Sequence, residues 1–135
     1  MILVDTNVLV ALVDAKDDLH GRAARDLARA RGDTLFTPDV VLSETLFLVT
    51  KAWARSRLRA LLDALAVQRL LLREPWRDEV FDWLEKYASH QPDLADAMLV
   101  VASSREKRSR VWTYDGEFKT TWRRADGTKV PLFAP

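Results

Sequence analysis

Short apolar runs alternate with longer segments of helical periodicity along the whole chain, and this alternation limits the possible folds more than any other feature. The first run, Met1 to Val4, ends at Asp5 and is typical of a strand that is buried on both faces. Helical segments between successive strands indicate parallel strand pairing. We therefore predict a three-layer α/β/α fold with a central, mostly parallel sheet, formed by a single domain over residues 1–135.

The predicted elements follow one another in a regular order. Strands are predicted at Met1–Val4, Thr34–Phe36, Leu70–Leu72 and Val111–Thr113, with an edge strand at Lys129–Phe133 that Pro131 interrupts. Helices are predicted at Val8–Val13, from Asp17 to Gly32, from Thr37 to Val49, after a cap at Ser56, at Arg77–Ala88, and from Pro92 onward. Thr37 and Pro38 are interpreted as a helix start, with a hydroxyl cap followed by proline at the first helical position.

The composition excludes several classes of function. No cysteine is present, which excludes a disulfide framework, a thiolate metal site and a cysteine nucleophile. The 21 basic and 20 acidic residues nearly cancel, so the net charge of +1 does not by itself indicate a nucleic-acid binder. The apolar start lacks a basic leader, and no apolar run reaches the roughly 18 residues that a membrane span needs. We therefore expect a soluble, cytoplasmic protein without a membrane partner.

Four acidic residues that are far apart in the sequence are predicted to meet at one edge of the sheet. Asp5 ends the first strand and Asp115 follows the fourth, so both lie at the carboxyl ends of strands, where ligands bind in open parallel sheets. Glu44 and Asp96 lie in the first turns of two predicted helices, and helix starts face the same edge in this architecture. The fold thus predicts a cluster of carboxylates.

Such a cluster needs a cation, because like charges a few ångströms apart repel one another and raise one another's pKa. Oxygen ligands without cysteine or a well-placed histidine select Mg²⁺ or Mn²⁺. Such an ion activates water and stabilises the charge of an in-line phosphoryl displacement. We therefore expect the acids to hold one or two ions for phosphodiester hydrolysis. The expected metal ligands and catalytic residues are Asp5, Glu44, Asp96 and Asp115.

Each of these acids also has an ordinary structural interpretation. Asp5 could only cap the next helix, Glu44 could be a solvated helix residue, and Asp115 could only belong to a turn. Asp93, after Pro92, is interpreted as the N-cap of the last long helix or as an auxiliary acid near the metal.

The neighbouring polar residues also have two interpretations. Thr6, Asn7 and Thr113 could be ordinary capping groups, or they could orient the acidic ligands or bond a metal-bound water. Four basic residues could line an RNA path or form a solvated helix face: Lys51, Arg55, Arg57 and Arg59. The five tryptophans are scattered, which favours packing in the core or in a dimer interface over base stacking.

Four segments resemble the conserved motifs of PIN-domain nucleases. The opening motif is matched by VDTNVL at residues 4–9, and the segment with the second acid by residues 37–44. The third motif is matched by LADAML at residues 94–99, and the fourth, a Thr-x-Asp-x-x-Phe pattern, by residues 113–118. The four segments occur in the family's order and span nearly the whole chain.

Among PIN domains, the chain is most similar to the VapC-type toxins of toxin–antitoxin pairs. This resemblance implies a PIN-like fold and a Mg²⁺- or Mn²⁺-dependent endoribonuclease that acts on an RNA substrate. It also implies a homodimer and inhibition by a separate antitoxin protein.

Three other functions stay open at this point. One is a PIN nuclease that processes RNA outside a toxin–antitoxin pair. Another is a non-catalytic RNA- or protein-binding module with a residual acidic pocket. The third is a phosphatase with Asp5 as its nucleophile, although Asn7 stands where such enzymes carry a second aspartate.

Overall fold

The computed structural model describes residues 1–135, in which four strands alternate with seven α-helices and one short 3-10 helix, Ala88–His90. The strands are β1 Ile2–Val4, β2 Leu35–Pro38, β3 Gln68–Leu70 and β4 Arg110–Trp112. The helices are α1 Thr6–Val13, α2 His20–Arg29, α3 Asp39–Leu48, α4 Ala52–Ala64, α5 Trp76–Lys86, α6 Leu94–Arg105 and α7 Glu117–Thr120.

The four strands form one parallel sheet in the order β3-β2-β1-β4. In the central strand β1, Leu3 pairs with Phe36 of β2 and with Val111 of β4. The residues of β1 are 0%, 0% and 1% exposed, as expected for a strand that helices cover on both faces. The predicted three-layer α/β/α fold with a parallel sheet is therefore confirmed.

One core of 27 buried apolar residues joins the sheet to the helices. It includes three of the five tryptophans, Trp83, Trp112 and Trp122. For these three, the predicted role in packing is correct. None of the helices combines the length and the apolar character that crossing a bilayer requires.

The start of α3 differs from the prediction. Thr37 and Pro38 belong to β2, where Pro38 pairs with Leu70 of β3, and α3 begins at Asp39 with Pro38 as its N-cap. The Thr37 hydroxyl donates a hydrogen bond to the carbonyl oxygen of Val4 at 3.2 Å instead of capping the helix. Pairing between distant strands thus overrides a local helix-start signal.

Two other boundaries also differ from the prediction. β3 ends at Leu70 instead of continuing to Leu72, and Leu71 is exposed. α4 begins at Ala52, so Ser56 lies inside the helix and does not cap it. The early start is stabilised by packing, because Ala54 and Leu58 are buried against the core.

The predicted edge strand Lys129–Phe133 does not form. The segment lies beside β4 but pairs with it only through an isolated bridge between Val111 and Leu132. Pro131 has no N–H group, and its carbonyl oxygen accepts a hydrogen bond from the N–H of Val111 at 2.8 Å. Proline thus prevents a continuous ladder, while Phe133 still packs in the core.

Candidate active site

Carboxylate side chains line a cleft of about 350 Å³ at the carboxyl edge of the sheet. Asp5 follows β1 directly and Asp115 follows β4, so the strand ends bring these two acids together. The acidic residues of the lining are Asp5, Asp17, Glu44, Asp93, Asp96 and Asp115. The structure thus places all four acids of the sequence-based cluster in one cleft. We name it the acidic cleft.

Asp5 is the N-cap of α1, and only 5% of it is exposed. Its Oδ1 accepts a hydrogen bond from the N–H of Thr6 at 2.7 Å. Its Oδ2 accepts one from the Thr113 hydroxyl at 2.7 Å and one from the Asn7 amide at 3.2 Å. Asp5 is therefore a helix cap and also part of a wider network. A carboxylate has about four acceptor sites, so these bonds leave it acceptor capacity.

Asn7 and Thr113 connect α1 to the loop after β4. Asn7 Oδ1 accepts a hydrogen bond from the N–H of Tyr114 at 3.0 Å, and Asn7 Nδ2 donates to Thr113 Oγ1 at 3.2 Å. Thr113 Oγ1 also accepts from the N–H of Asp115 at 3.1 Å. The Thr113 hydroxyl thus contacts both Asp5 and the backbone of Asp115, and this contact fixes the positions of the two residues relative to each other.

Glu44 faces the acidic cleft from α3. The Thr6 hydroxyl donates a hydrogen bond to Glu44 Oε2 at 2.9 Å, so residues next to Asp5 orient a second acid. Burial raises the pKa of Glu44, and the nearby charge of Asp93 adds to the rise, while the hydrogen bond from Thr6 opposes it. Glu44 is thus half-buried among other acids.

Asp93 and Asp96 form a capping box at the start of α6. The N–H of Asp96 donates to Asp93 Oδ1 at 2.8 Å, and the N–H of Asp93 donates to Asp96 Oδ2 at 3.3 Å. The structural interpretation of Asp93 as an N-cap is therefore correct. Burial, together with the nearby charges of Asp93, Asp5 and Asp115, raises the pKa of Asp96 to about 8.

The acidic cleft is lined by acidic side chains without basic side chains to balance their charge. Burial raises the pKa of Asp5 to about 6, against the opposing effect of the hydrogen bonds from Thr113 and Thr6. No lysine, arginine or histidine lines the cleft, so nothing in the chain neutralises these carboxylates there. Strongly perturbed acids in a cleft are typical of functional sites.

The PIN-domain family model matches residues 2–122. The chain belongs to the PIN-domain family. The family resemblance that the four sequence segments predict is therefore confirmed. No curated protein matches the sequence.

Several solved structures share the fold of this PIN domain. VapC20 of Mycobacterium tuberculosis, a toxin that cleaves the sarcin–ricin loop, superposes with a TM-score of 0.73 at 24% identity, over 88% of this chain and 93% of that one. VapBC2 of Rickettsia felis, bound to promoter DNA, gives 0.64 at 15% identity, over 98% and 97%. A toxin–antitoxin complex of Klebsiella pneumoniae gives 0.63 at 18% identity, over 87% and 88%.

Asp17 also lines the acidic cleft of this PIN domain. The sequence predicts only that Asp17 begins a helix, and not that it belongs to the acidic cluster. It lies just before α2, and its Oδ1 accepts a hydrogen bond from the N–H of Leu19 at 2.8 Å. Helix starts face the carboxyl edge of the sheet, so the rule that selected Glu44 and Asp96 could also have selected Asp17.

The donors of the acidic cleft fit a hard divalent cation. Its lining offers oxygen ligands and neither sulfur nor imidazole, which suits Mg²⁺ or Mn²⁺. As the side chains stand, no three acidic or histidine residues are arranged to hold one ion together. Asp5 and Asp96 accept hydrogen bonds from N–H and O–H donors of the protein, and the remaining lone pairs of their carboxylates are available to a cation.

Neither histidine belongs to the acidic cleft. His20 Nδ1 lies 2.7 Å from the carbonyl oxygen of Ala11. The ring of His90 lies against Trp122, and its Nδ1 is 3.7 Å from a carboxylate oxygen of Glu117. The structure therefore offers the site no imidazole that could serve as a ligand or general base.

Proposed function

We propose that this PIN domain is a Mg²⁺- or Mn²⁺-dependent endoribonuclease and the toxin of a VapBC-type toxin–antitoxin pair. The observation that carries the proposal is a cleft lined by carboxylates and by no basic side chain. The raised pKa values of Asp5 and Asp96 indicate groups that favour neutralisation by protons or by a cation. Hydrolysis of phosphodiesters is a reaction that cations held by carboxylates commonly assist.

In this proposal, Asp5, Glu44 and Asp96 hold one cation, and Asp115 completes that coordination or holds a second ion. When bound, the cation supplies charge neutralisation and Lewis-acid chemistry for the attack of water on a phosphodiester. The acidic cleft has the oxygen donors for this task on several elements: the loop after β1, α3, α6 and the loop after β4.

The other polar residues position the acids. Thr113 and Asn7 hold Asp5 through neutral donors, so they fix the carboxylate without cancelling its charge. Thr6 does the same for Glu44. Such neutral contacts keep ligands oriented while leaving their charge for a cation.

The solved relatives support the biological part of the proposal. VapC20 cleaves an RNA loop, and the Rickettsia and Klebsiella structures contain toxin–antitoxin pairs. By analogy, we propose RNA as the substrate, an antitoxin protein as the partner, and a homodimer that acts in the cytoplasm. We also propose that residues 1–135 form a single PIN-like nuclease domain.

The phosphatase alternative gains nothing from the site. Asn7, at the position of a second aspartate, bonds Asp5 and the backbone of Tyr114 with its side chain. No lysine lines the cleft to balance a phosphorylated aspartate. Trapping of a phospho-aspartate would nevertheless favour that enzyme over a nuclease.

A cleavage assay on structured RNAs, including a sarcin–ricin-type stem-loop, tests the nuclease function. We expect cleavage with Mg²⁺ or Mn²⁺, no cleavage with EDTA, and little cleavage by Asp96→Asn. The matched control is Asp63→Asn, because Asp63 is exposed on α4 outside the cleft. Cleavage that survives EDTA, or that Asp96→Asn retains in full, would contradict the proposal. A DNA oligonucleotide of the same sequence tests the preference for RNA.

Expression in a bacterial host tests the toxin role separately. We expect the wild-type chain to arrest growth and Asp96→Asn to allow it. Co-expression of a neighbouring small reading frame should restore growth if it encodes the antitoxin. Normal growth with active, soluble wild-type protein would favour an RNA-processing nuclease instead.

A further inference from the structure

Trp53 is more exposed than the other four tryptophans. It is 57% exposed on α4, whereas Trp83, Trp112 and Trp122 are 6%, 0% and 2% exposed. Tryptophan is enriched at binding surfaces, where one end of the indole is apolar and the other contacts water. The packing role that the sequence suggested for the tryptophans therefore does not extend to Trp53 within this chain.

Trp53 lines a second cleft of about 320 Å³ between the end of α1 and the start of α4. Lys16, Lys51 and Arg57 line the same cleft, and none of the three forms an ion pair or donates a side-chain hydrogen bond within the chain. Asp14 is its single carboxylate, so the lining carries an excess of positive charge. We name it the Trp53 cleft.

The Trp53 cleft adjoins the acidic cleft. Val10 and Leu48 line both clefts, so one molecule can occupy them together. Leu48 is 62% exposed, and Phe47 beside it is 83% exposed. An apolar surface with a basic border thus runs from the carboxylates towards Trp53.

We propose that the Trp53 cleft binds a single-stranded segment of the RNA substrate next to the scissile phosphodiester. Trp53 stacks on a base, while Lys16, Lys51 and Arg57 contact backbone phosphates. This assignment rests on the proposed nuclease function and identifies the Trp53 cleft as the surface that gives the nuclease its affinity for RNA.

The need for such a surface follows from the charges. A polyanion is repelled by the negative charge of the acidic cleft, and a net charge of +1 gives the molecule as a whole little attraction for RNA. Unpaired cations beside the acidic cleft supply that attraction locally. An exposed aromatic ring among cations is the usual surface for unpaired bases, because every base offers a face for stacking.

The shape of the substrate also follows. Bases in an A-form duplex are already stacked on their neighbours, so only a loop or an unpaired strand offers Trp53 a free face. A protein partner without acidic side chains would fill the apolar part of the cleft but would leave its three basic residues unpaired. Single-stranded RNA accounts for both features.

RNA binding can be measured without cleavage in an Asp96→Asn background, by the fluorescence anisotropy of a labelled single-stranded RNA. We expect Trp53→Ala to weaken binding about tenfold or more, and Trp53→Phe to retain most of the affinity. The matched control is Phe81→Ala, because Phe81 is also 57% exposed but lies on α5. Cleavage by the otherwise wild-type enzyme should show the change in KM and little in kcat.

The basic residues have a matched control on the same helix. Arg57 lines the Trp53 cleft and Arg59 does not, although both are exposed on α4. We expect Arg57→Ala to lower the slope of log affinity against log salt by about 0.7, the value for one phosphate contact on a single strand. Arg59→Ala should leave the slope unchanged.

The outcomes separate this inference from the nuclease proposal. If RNA is cut but Trp53→Ala binds and cuts like Phe81→Ala, the Trp53 cleft is not an RNA site and the nuclease stands. If no cation-dependent cutting occurs but Trp53→Ala still loses RNA binding, the cleft stands without the nuclease. A change of oligomeric state in Trp53→Ala, with unchanged RNA affinity, would overturn the inference in favour of a protein interface.

Discussion

Two buried aspartates, Asp5 and Asp26, are each 5% exposed and differ in what surrounds them. Asp26 on α2 accepts a hydrogen bond from the Tyr114 hydroxyl at 2.9 Å and lies 3.7 Å from the side-chain nitrogens of Arg22 and Arg29. Asp5 accepts hydrogen bonds from neutral donors only, and the charged groups that shift its pKa are other acids.

The comparison shows that the partners of a buried carboxylate indicate its role better than burial does. Asp26 has cationic partners within the chain, so its charge is balanced by the fold itself. Asp5 has none, so balance must come from a proton or from a cation in solution. This difference separates a structural aspartate from a candidate ligand, and each of the following experiments tests one side of it.

The largest effect is expected for Asp5→Asn. Loss of a ligand charge should lower RNA cleavage about 1,000-fold or more, because cation-based stabilisation of the transition state contributes several kcal/mol. Asparagine can still cap α1, so the metal-free variant should be as stable as the wild type or more stable. Single-turnover cleavage and urea unfolding measure the two quantities. Cleavage within tenfold of wild type would remove Asp5 from the site.

Asp26→Ala should show the opposite pattern. The hydrogen bond from Tyr114 is lost, and its hydroxyl and both arginines lose a partner, so the free energy of unfolding should fall by about 2 kcal/mol. Tyr114→Phe should remove about 1 kcal/mol. Cleavage by the folded protein should change little, since Asn7 bonds the backbone of Tyr114 and not its side chain. If Asp26→Ala lost cleavage without losing stability, Asp26 would act in the site like Asp5, and the distinction between the two aspartates would be wrong.

A smaller effect is expected for Thr113→Val, which keeps the shape of the side chain but removes the hydroxyl that donates to Asp5. Groups that orient metal ligands typically contribute about 10- to 100-fold to activity or metal affinity, and we expect a loss in that range. Thr113→Ser should restore most of the activity. Equal cleavage by the valine and serine variants would show that the hydroxyl does not position Asp5.

The last prediction concerns the pH dependence of stability without metal, where no change in cleavage is involved. Because the pKa of Asp5 is raised from 3.8 to about 6, the folded state holds its proton more tightly than the unfolded state does. Its ionisation therefore destabilises the fold, with no effect below the unfolded pKa and the full effect above the folded one. The stability advantage of Asp5→Asn over wild type should grow by about 2 kcal/mol from pH 4 to pH 8. Urea unfolding at both pH values checks this. If the stability advantage of Asp5→Asn stayed constant or shrank from pH 4 to pH 8, ionisation of Asp5 would not destabilise the fold, which would contradict this account.

The acidic cluster is predictable from the sequence because its position depends only on strand order and chain direction. Asp5 and Asp115 follow apolar strands, and parallel strands present their carboxyl ends at one edge. The approximate positions of the helices followed from periodicity for a similar reason, since each signal lies within one short segment.

Features that depend on contacts between distant residues could not be predicted in this way. The hydroxyl and proline at residues 37–38 predict a helix start, but pairing with β3 keeps them in a strand. The hydrogen bond from Tyr114 to Asp26 joins residues 88 positions apart and leaves no local pattern. The exposure of Trp53 likewise depends on how α4 packs, which the spacing of the tryptophans does not reveal.

The central claim is that the acidic cleft binds a divalent cation, and calorimetric titration of Mn²⁺ into the metal-free protein at pH 7 tests it most directly. We predict saturable binding by the wild type and by Asp63→Asn, and loss of that binding in Asp5→Asn. Binding should also release protons, because the pKa of Asp96 is raised to about 8. No saturable binding by the wild type, or equal binding by Asp5→Asn, would contradict the account.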